Sequence, residues 1–341
     1  MKKIHVSDAV GRVLCHDMTA ITEDGFKGVR FKRGHEIREE DIPAFLDMGK
    51  NYIFVWDPSV NEVHKEDAAI KLSEVIGDDS VLLSGPSEGK ITVSAAFDGL
   101  VRIDREGLKA INSLPDYTVA TVPDKLKVKR GDRLAGVRIV PLVTAEENVK
   151  NAVELALKYK PVITVKPFHD LKCGLIITGT EIYEGRIKDK FEPIIRGKLE
   201  EYNSTLLGVV KCPDDIEMIR RAKNYFLEEK ADIILFTGGM SVDPDDLTPG
   251  AIKEDGAELI CQGVPMQPGN MLTIAYLGDT LLVGIPGASM HAKVTSLDVF
   301  LPRFFAKEKI TREEIADLGL GGLCVNCKEC TYPVCYFGRG N

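Results

Sequence analysis

Between residues 168 and 306, short unbroken apolar runs alternate with amphipathic segments, and this alternation limits the fold more than any other feature of the chain. Leu175-Ile176-Ile177-Thr178, Leu206-Leu207-Gly208-Val209-Val210 and Asp232-Ile233-Ile234-Leu235-Phe236 read as strands. None shows the polar alternation of a strand with one wet face, so each must be covered on both faces. The segments between them read as helices. Glu192 to Tyr202 carries Pro193 in its first turn, where a missing N–H does no harm. Another helix follows Pro213-Asp214-Asp215, where either aspartate can cap it. Ser289 to Phe305 reads as a third helix. Gly278-Asp279, between Thr273–Tyr276 and Leu281–Ile285, marks a hairpin. The expected fold class is α/β, with a three-layer mainly parallel sheet over residues 168–310.

A β-rich N-terminal region precedes that domain. Residues 1–60 form one segment, with a short helix over Arg38–Gly49 and a β-type run Tyr52–Trp56 closed by Asp57-Pro58. Residues 61–142 carry four short apolar runs separated by turn signals, the pattern of a small sandwich or barrel, apart from a helix near Asp67–Ile76. Thr144 and Glu147 have the spacing of a capping box and open a connecting helix within 143–167, with Val149, Val153, Ala156 and Leu157 on one face. Residues 320–341 are a cysteine-rich tail.

Charge narrows the partners. The 341 residues carry a net charge of −8, without a long basic run. This argues against nucleic acid and against a polybasic membrane anchor. No stretch approaches the roughly 20 apolar residues of a membrane span, and Met1-Lys2-Lys3 is followed by no apolar segment of a leader. The expectation is a cytoplasmic protein without a membrane partner. Its eight cysteines are then thiols or metal ligands and not disulfides.

In an open α/β sheet, ligands bind beyond the carboxyl ends of the strands. Thr178-Gly179-Thr180-Glu181, Pro213-Asp214-Asp215, Thr237 to Asp246 and Gly284-Ile285-Pro286-Gly287-Ala288-Ser289 all follow expected strands. Glycine lets backbone N–H groups approach a phosphate. The carboxylates can accept hydrogen bonds from an amino-substituted ring or bind Mg2+. Each segment alone would pass for a turn with a helix cap, but four at corresponding strand ends point to a site.

These segments resemble the molybdopterin-binding domain of MogA/MoaB-type adenylyltransferases, MoeA-type molybdenumtransferases and the CinA family. Thr178-Gly179-Thr180-Glu181-Ile182 is similar to the first turn of that family, and Gly238-Gly239-Met240-Ser241 with Asp246 to its phosphate-side loop. Pro268-Gly269 and Gly284-Ile285-Pro286-Gly287 resemble its paired Pro-Gly segments. Val6 to Asp17 is similar to the opening of MoeA-type proteins. The resemblance implies catalytic roles for Glu181 and Asp246. It implies cofactor contacts at Thr178, Gly179, Thr180, Asp189, Asp214, Asp215, Gly238, Gly239, Ser241, Pro268, Gly269, Pro286 and Gly287. Asn270 stands where the MoeA type has a lysine suited to an oxyanion.

Cys324, Cys327, Cys330 and Cys335 follow the pattern C-x2-C-x2-C-x4-C. Four thiolates in twelve residues suit tetrahedral Zn2+ or an iron–sulfur cluster, and the spacing does not choose between them. Three functions fit the whole reading. The first is a maturation enzyme that adenylylates molybdopterin or inserts its metal, as a homo-oligomer. The second is a carrier or sensor of molybdopterin, or of its adenylated form, for a molybdoenzyme client. The third is a CinA-like dinucleotide pyrophosphatase.

Overall fold

The computed structural model describes residues 1–21, 27–56, 61–87, 89–240 and 246–340. Asp57-Pro58, part of the polar stretch after Ile21, and Ser241 lie outside the described residues. The chain forms two compact units. One comprises Met1–Ala96, Ile103–Val122 and Gly131–Thr164; the other comprises Phe97–Arg102, Pro123–Arg130 and Val165–Asn341.

The first unit is built on antiparallel pairing. Lys2–His5 pairs with Tyr52–Val55, and Met18–Ile21 with Lys27–Phe31. A four-stranded sheet has the order Val81–Ser87, Lys90–Ala95, Arg133–Ile139, Tyr117–Thr121. The expected sandwich or barrel is not what forms. Helix Lys65–Ile76 packs on the two central strands of this sheet and also on helix Glu146–Tyr159. A helix thus covers the apolar face that a second sheet would otherwise take. Ala68, Ala69, Leu72 and Ile76 supply its buried stripe. Thr144 is not the cap of helix Glu146–Tyr159. Its hydroxyl donates to Asp116 Oδ2 at 2.5 Å, and the helix buries Val149, Ala152 and Ala156 while Leu157 is exposed.

The second unit holds a six-stranded sheet of β1 (Lys172–Thr178), β2 (Thr205–Cys212), β3 (Ile233–Thr237), β4 (Glu258–Gln262), β5 (Thr273–Leu277) and β6 (Thr280–Gly284). The strand order is β2-β1-β3-β6-β5-β4. The first four in that order run parallel, and β5 and β4 are antiparallel additions at one edge. The β5–β6 hairpin turns at Gly278-Asp279, with Leu277 opposite Thr280.

Burial explains the unalternating strands. Cys173, Leu175 and Ile177 of β1 enter one core, with Leu235 of β3 and Val283 of β6. Ile176, Ile234, Phe236 and Leu282 enter another on the opposite face. Helices α1 (Thr180–Tyr183), α2 (Phe191–Glu200), α3 (Ile216–Glu228), α4 (Thr248–Lys253), α5 (Ser296–Phe305) and α6 (Arg312–Asp317) follow in chain order. Ile195 and Leu199 of α2, with Phe300 and Phe304 of α5, fill the first core. Ile219 and Phe226 of α3, with Ile252 of α4, fill the second. No helix among the described residues is long and apolar enough to cross a membrane.

The segment expected as one helix from Ser289 to Phe305 divides. Gly287–Met290 is a 3-10 turn, and α5 begins only at Ser296. The Asp298 carboxylate accepts the Thr295 N–H at 2.8 Å, while the Ser296 N–H donates to the Pro268 carbonyl at 3.2 Å. Those bonds start a new helix at Ser296 and leave His291 to Val294 outside it.

Candidate functional site

The four parallel strands end on one side of the sheet at Thr178, Cys212, Thr237 and Gly284. Their ends are stitched together first. Thr178 Oγ1 donates to the Thr237 carbonyl at 3.1 Å and lies 3.1 Å from Thr248 Oγ1. The Gly179 N–H donates to the Cys212 carbonyl at 3.1 Å. Asp214 Oδ2 accepts both the N–H and the hydroxyl of Thr180, at 2.9 and 3.1 Å. The Asp214 N–H returns a bond to the same hydroxyl at 3.2 Å. This reciprocal pair fixes the turns after β1 and β2 against each other. Burial pushes the Cys212 thiol up to about 11, with Asp215 adding to it, so Cys212 is neutral and no nucleophile at physiological pH.

Gly238 makes the closest approach. Its φ is +81°, and a Cβ there would stand 2.1 Å from the Thr178 carbonyl oxygen. Only glycine permits that contact and that backbone angle. Gly239 follows at φ +49°, with its Cβ position 3.6 Å from Asp246 Oδ1.

Above these ends lies a cavity of about 440 Å3, within the usual size of a small-molecule site. Its floor is Thr178, Gly179, Gly238 and Gly239. Glu181, Asp214 and Asp246 bring carboxylates to it, and Lys188, Lys190 and His291 bring basic groups. Ile182, Ile187, Phe191 and Met290 form an apolar wall. The side chains of Glu181, Lys188, Lys190 and His291 make no hydrogen bond or ion pair among the described residues. A flat ring with donor groups on one edge and an anionic group at its other end would meet complementary chemistry on every side. A second depression, of about 540 Å3, lies at the opposite ends of β1, β3 and β6, beside Asp232, Leu281 and Lys307. The glycine turns are not there.

The structure therefore brings Thr178, Gly179, Glu181, Asp214, Gly238, Gly239 and Asp246 to one cavity, with Thr180 holding Asp214. Other residues named from the sequence lie elsewhere. Asp189 turns away from the cavity. Its Oδ1 accepts the Phe191 N–H at 2.8 Å at the start of α2, and its Oδ2 is 3.4 Å from Lys211 Nζ. Asp215 caps α3 through the Met218 N–H at 2.9 Å. Pro268 and Gly269 seat the start of α5, where Ser296 Oγ donates to the Gly269 carbonyl at 2.6 Å. Pro286 and Gly287 open the 3-10 turn that carries Met290 and His291 to the cavity. Asn270 donates to the Val264 carbonyl at 2.7 Å and does not line the cavity.

No motif in the sequence marks Lys188, Lys190 or His291. The two lysines flank Asp189, and their spacing of two is the available signal. His291 reads from sequence as a surface or cap residue. It reaches the cavity only because the expected helix breaks before Ser296.

The carboxylates and thiols are not gathered as a ready-made site for a single metal ion. Among the described residues no group of three or more His, Cys, Asp or Glu could hold a metal ion. This covers both the three carboxylates of the cavity and the four cysteines of the tail. All eight cysteines are free.

Residues 174–306 match the family described as "Probable molybdopterin binding domain", and residues 3–57 match a domain of unknown function. A protein of Methanocaldococcus jannaschii named for molybdopterin biosynthesis is 33% identical over 338 residues, covering 82% of this chain and 80% of that protein. The molybdopterin molybdenumtransferase of Bacillus subtilis is 28% identical over 159 residues, covering 45% of this chain. That match spans only 34% of the Bacillus protein's own length. Among solved structures, a molybdopterin biosynthesis protein from Mycobacterium abscessus covers 40% of this chain and 96% of its own, at 21% identity and a TM-score of 0.34.

Proposed function

The chain belongs to the family of molybdopterin-binding-domain proteins of molybdenum cofactor biosynthesis, and from that premise we propose that the cavity at the carboxyl ends of β1, β2 and β3 binds molybdopterin or its adenylated form. One observation carries the reading. Three carboxylates and three basic side chains converge over a glycine floor at those strand ends. The carboxylates of Glu181, Asp214 and Asp246 suit the amino and amide donors of a pterin edge. Lys188, Lys190 and the backbone of Gly238 and Gly239 suit its phosphate and dithiolene charge. The apolar wall suits the ring faces. The two helix-covered faces of the sheet supply a rigid three-layer frame for that arrangement.

The chemistry such a site performs is positioning and charge neutralisation. Asp214 is held by Thr180, which preorganises its carboxylate. The three carboxylates are not gathered as a site for Mg2+. Asn270 is tied to Val264 and supplies no lysine of the MoeA type to the cavity. Its basic groups are Lys188, Lys190 and His291, which suit the anionic end of molybdopterin, of its adenylated form or a molybdate oxyanion.

The test is equilibrium binding of molybdopterin and its adenylated form to anaerobically purified protein, with product analysis after Mg-ATP or molybdate is added. The expected result is stoichiometric binding that falls at least 10-fold in Lys188→Ala/Lys190→Ala. Conversion on addition of Mg-ATP or molybdate identifies an enzyme and its step; binding without conversion identifies a carrier. If neither form binds, the reading is wrong, and hydrolysis of ADP-ribose with a divalent metal becomes the assay to run.

A further inference from the structure

The cysteine tail is folded onto the second unit. The Gln267 N–H donates to the Gly322 carbonyl at 2.7 Å, and the Cys324 N–H donates to the Gln267 carbonyl at 2.8 Å. Tyr332 Oη donates to the Asp298 carbonyl at 2.9 Å, and Phe337 is buried in the core beneath β1. Arg339 donates to the carbonyls of Cys335, Pro333 and Lys125. The backbone is thus pinned on both sides of the four thiols. Between the pins, residues 324–335 form no helix or strand. Val325 and Val334 are 63% and 81% exposed. A segment that buries so little apolar surface is the kind that disulfides or metal stabilise, and its cysteines are not bridged.

All four thiols line one cavity of about 260 Å3, together with His291 and Lys293. His291 also lines the pterin cavity, so the two adjoin. Yet the thiols do not converge enough to hold a single ion. Tetrahedral Zn2+ at about 2.3 Å from each sulfur draws four thiolates to about 4 Å from one another. An iron–sulfur cluster places its own iron and sulfide atoms between them, and the thiolates then stand farther apart around a larger space. The run Cys324, Cys327, Cys330 has the spacing that supplies three ligands to such a cluster. Lys293 at the cavity and Arg339 beside Cys335 bring positive charge to offset four thiolates. We propose that Cys324, Cys327, Cys330 and Cys335 hold an iron–sulfur cluster of the four-iron type in the cavity beside the pterin site. The proposal rests on the tail alone and stands whether or not the neighbouring cavity binds molybdopterin.

The test is anaerobic reconstitution of the full chain with Fe3+, a thiol reductant and sulfide, read by absorption, by iron and labile-sulfide analysis, and by electron paramagnetic resonance after further reduction. About four iron and four sulfide per chain are expected, with a broad sulfur-to-iron charge-transfer band. Cys327 and Cys330 are exposed, so Cys327→Ser/Cys330→Ser should keep the thermal transition of the parent and lose the band. Three results overturn the proposal. The first is no band in the parent protein. The second is a band retained in the double variant. The third is one Co2+ per chain bound without sulfide, with a tetrahedral tetrathiolate spectrum that Zn2+ abolishes, which makes the site mononuclear.

Discussion

Asp214 and Asp215 are adjacent, chemically identical and differently employed. Asp214 faces the cavity and is locked to Thr180, while Asp215 caps α3. Asp214→Asn should weaken molybdopterin binding at least 10-fold, because the amide loses the charge that both Thr180 donors and the ligand use. Asp215→Ala should leave that affinity unchanged and lower stability by about 1 kcal/mol, the usual value of a helix cap. Titration and chemical denaturation of both variants separate the two roles; equal affinities would remove Asp214 from the site. Gly238→Ala should destabilise by about 2 kcal/mol or more and reduce binding as well, since its Cβ would strike the Thr178 carbonyl. From sequence, both aspartates stand at a strand end, and only the turn geometry decides which faces the ligand. His64 adds a pH dependence in the first unit. Burial pushes its imidazole from 6.5 down to about 4. The unfolded chain therefore binds the proton first. The stability from neutral His64 is complete above pH 6.5 and drains away as pH falls toward 4, on the order of 3 kcal/mol in all. His64→Gln should flatten that part of a stability-against-pH curve measured by denaturation.

At the scale of elements, the strands of the second unit were legible because burial on both faces leaves an unmistakable apolar run. Leu175–Thr178 lies within β1, Leu206–Val210 within β2, and Ile233–Phe236 within β3. The edge strand β4 was not found, because Glu258 and Gln262 at its ends are exposed and hide the pattern. The first unit reads from sequence as a sandwich or barrel because strand spacing does not reveal that a helix covers the sheet. The break before α5 was missed for a related reason. Residues 289–305 look helical throughout, but the bonds that start α5 come from Asp298 and from Pro268, the latter distant in sequence. Thr295→Ala tests that start. It removes a hydroxyl 3.1 Å from Ser289 Oγ and 3.3 Å from Asp298 Oδ2. A loss of about 1 kcal/mol is expected, with a shift in the His291 resonance as the preceding segment loosens. An unmoved His291 signal would uncouple this helix start from the cavity.

At the scale of the molecule, one carboxylate gathers charge from three stretches of the chain. Glu308, nearly buried, accepts from Arg102, from Lys166 Nζ at 2.9 Å and from Arg303 Nε at 2.9 Å. Burial alone would raise its carboxyl, but these donors and their charges hold it down to about 2. The unfolded chain takes up that proton near 4.5. The contribution of Glu308 is therefore complete above pH 4.5 and is lost as pH falls toward 2. Glu308→Gln should destabilise by about 2–3 kcal/mol at neutral pH, because buried Arg303 keeps only Glu314, at 2.7 Å, as a counter-charge, and should flatten the stability curve between pH 4.5 and 2. Acid unfolding of the variant checks both. No sequence pattern announces this cluster, whose members lie as much as 206 residues apart. Arg102 belongs to the second unit although its neighbours from Ile103 onward belong to the first. The second unit draws on Phe97–Arg102 and Pro123–Arg130 as well as on everything from Val165. A gene crossover falling between codons 103 and 164 would separate pieces of both units at once. The second unit is thus no interchangeable cassette, and recombination can transmit it whole only with pieces of its neighbour attached.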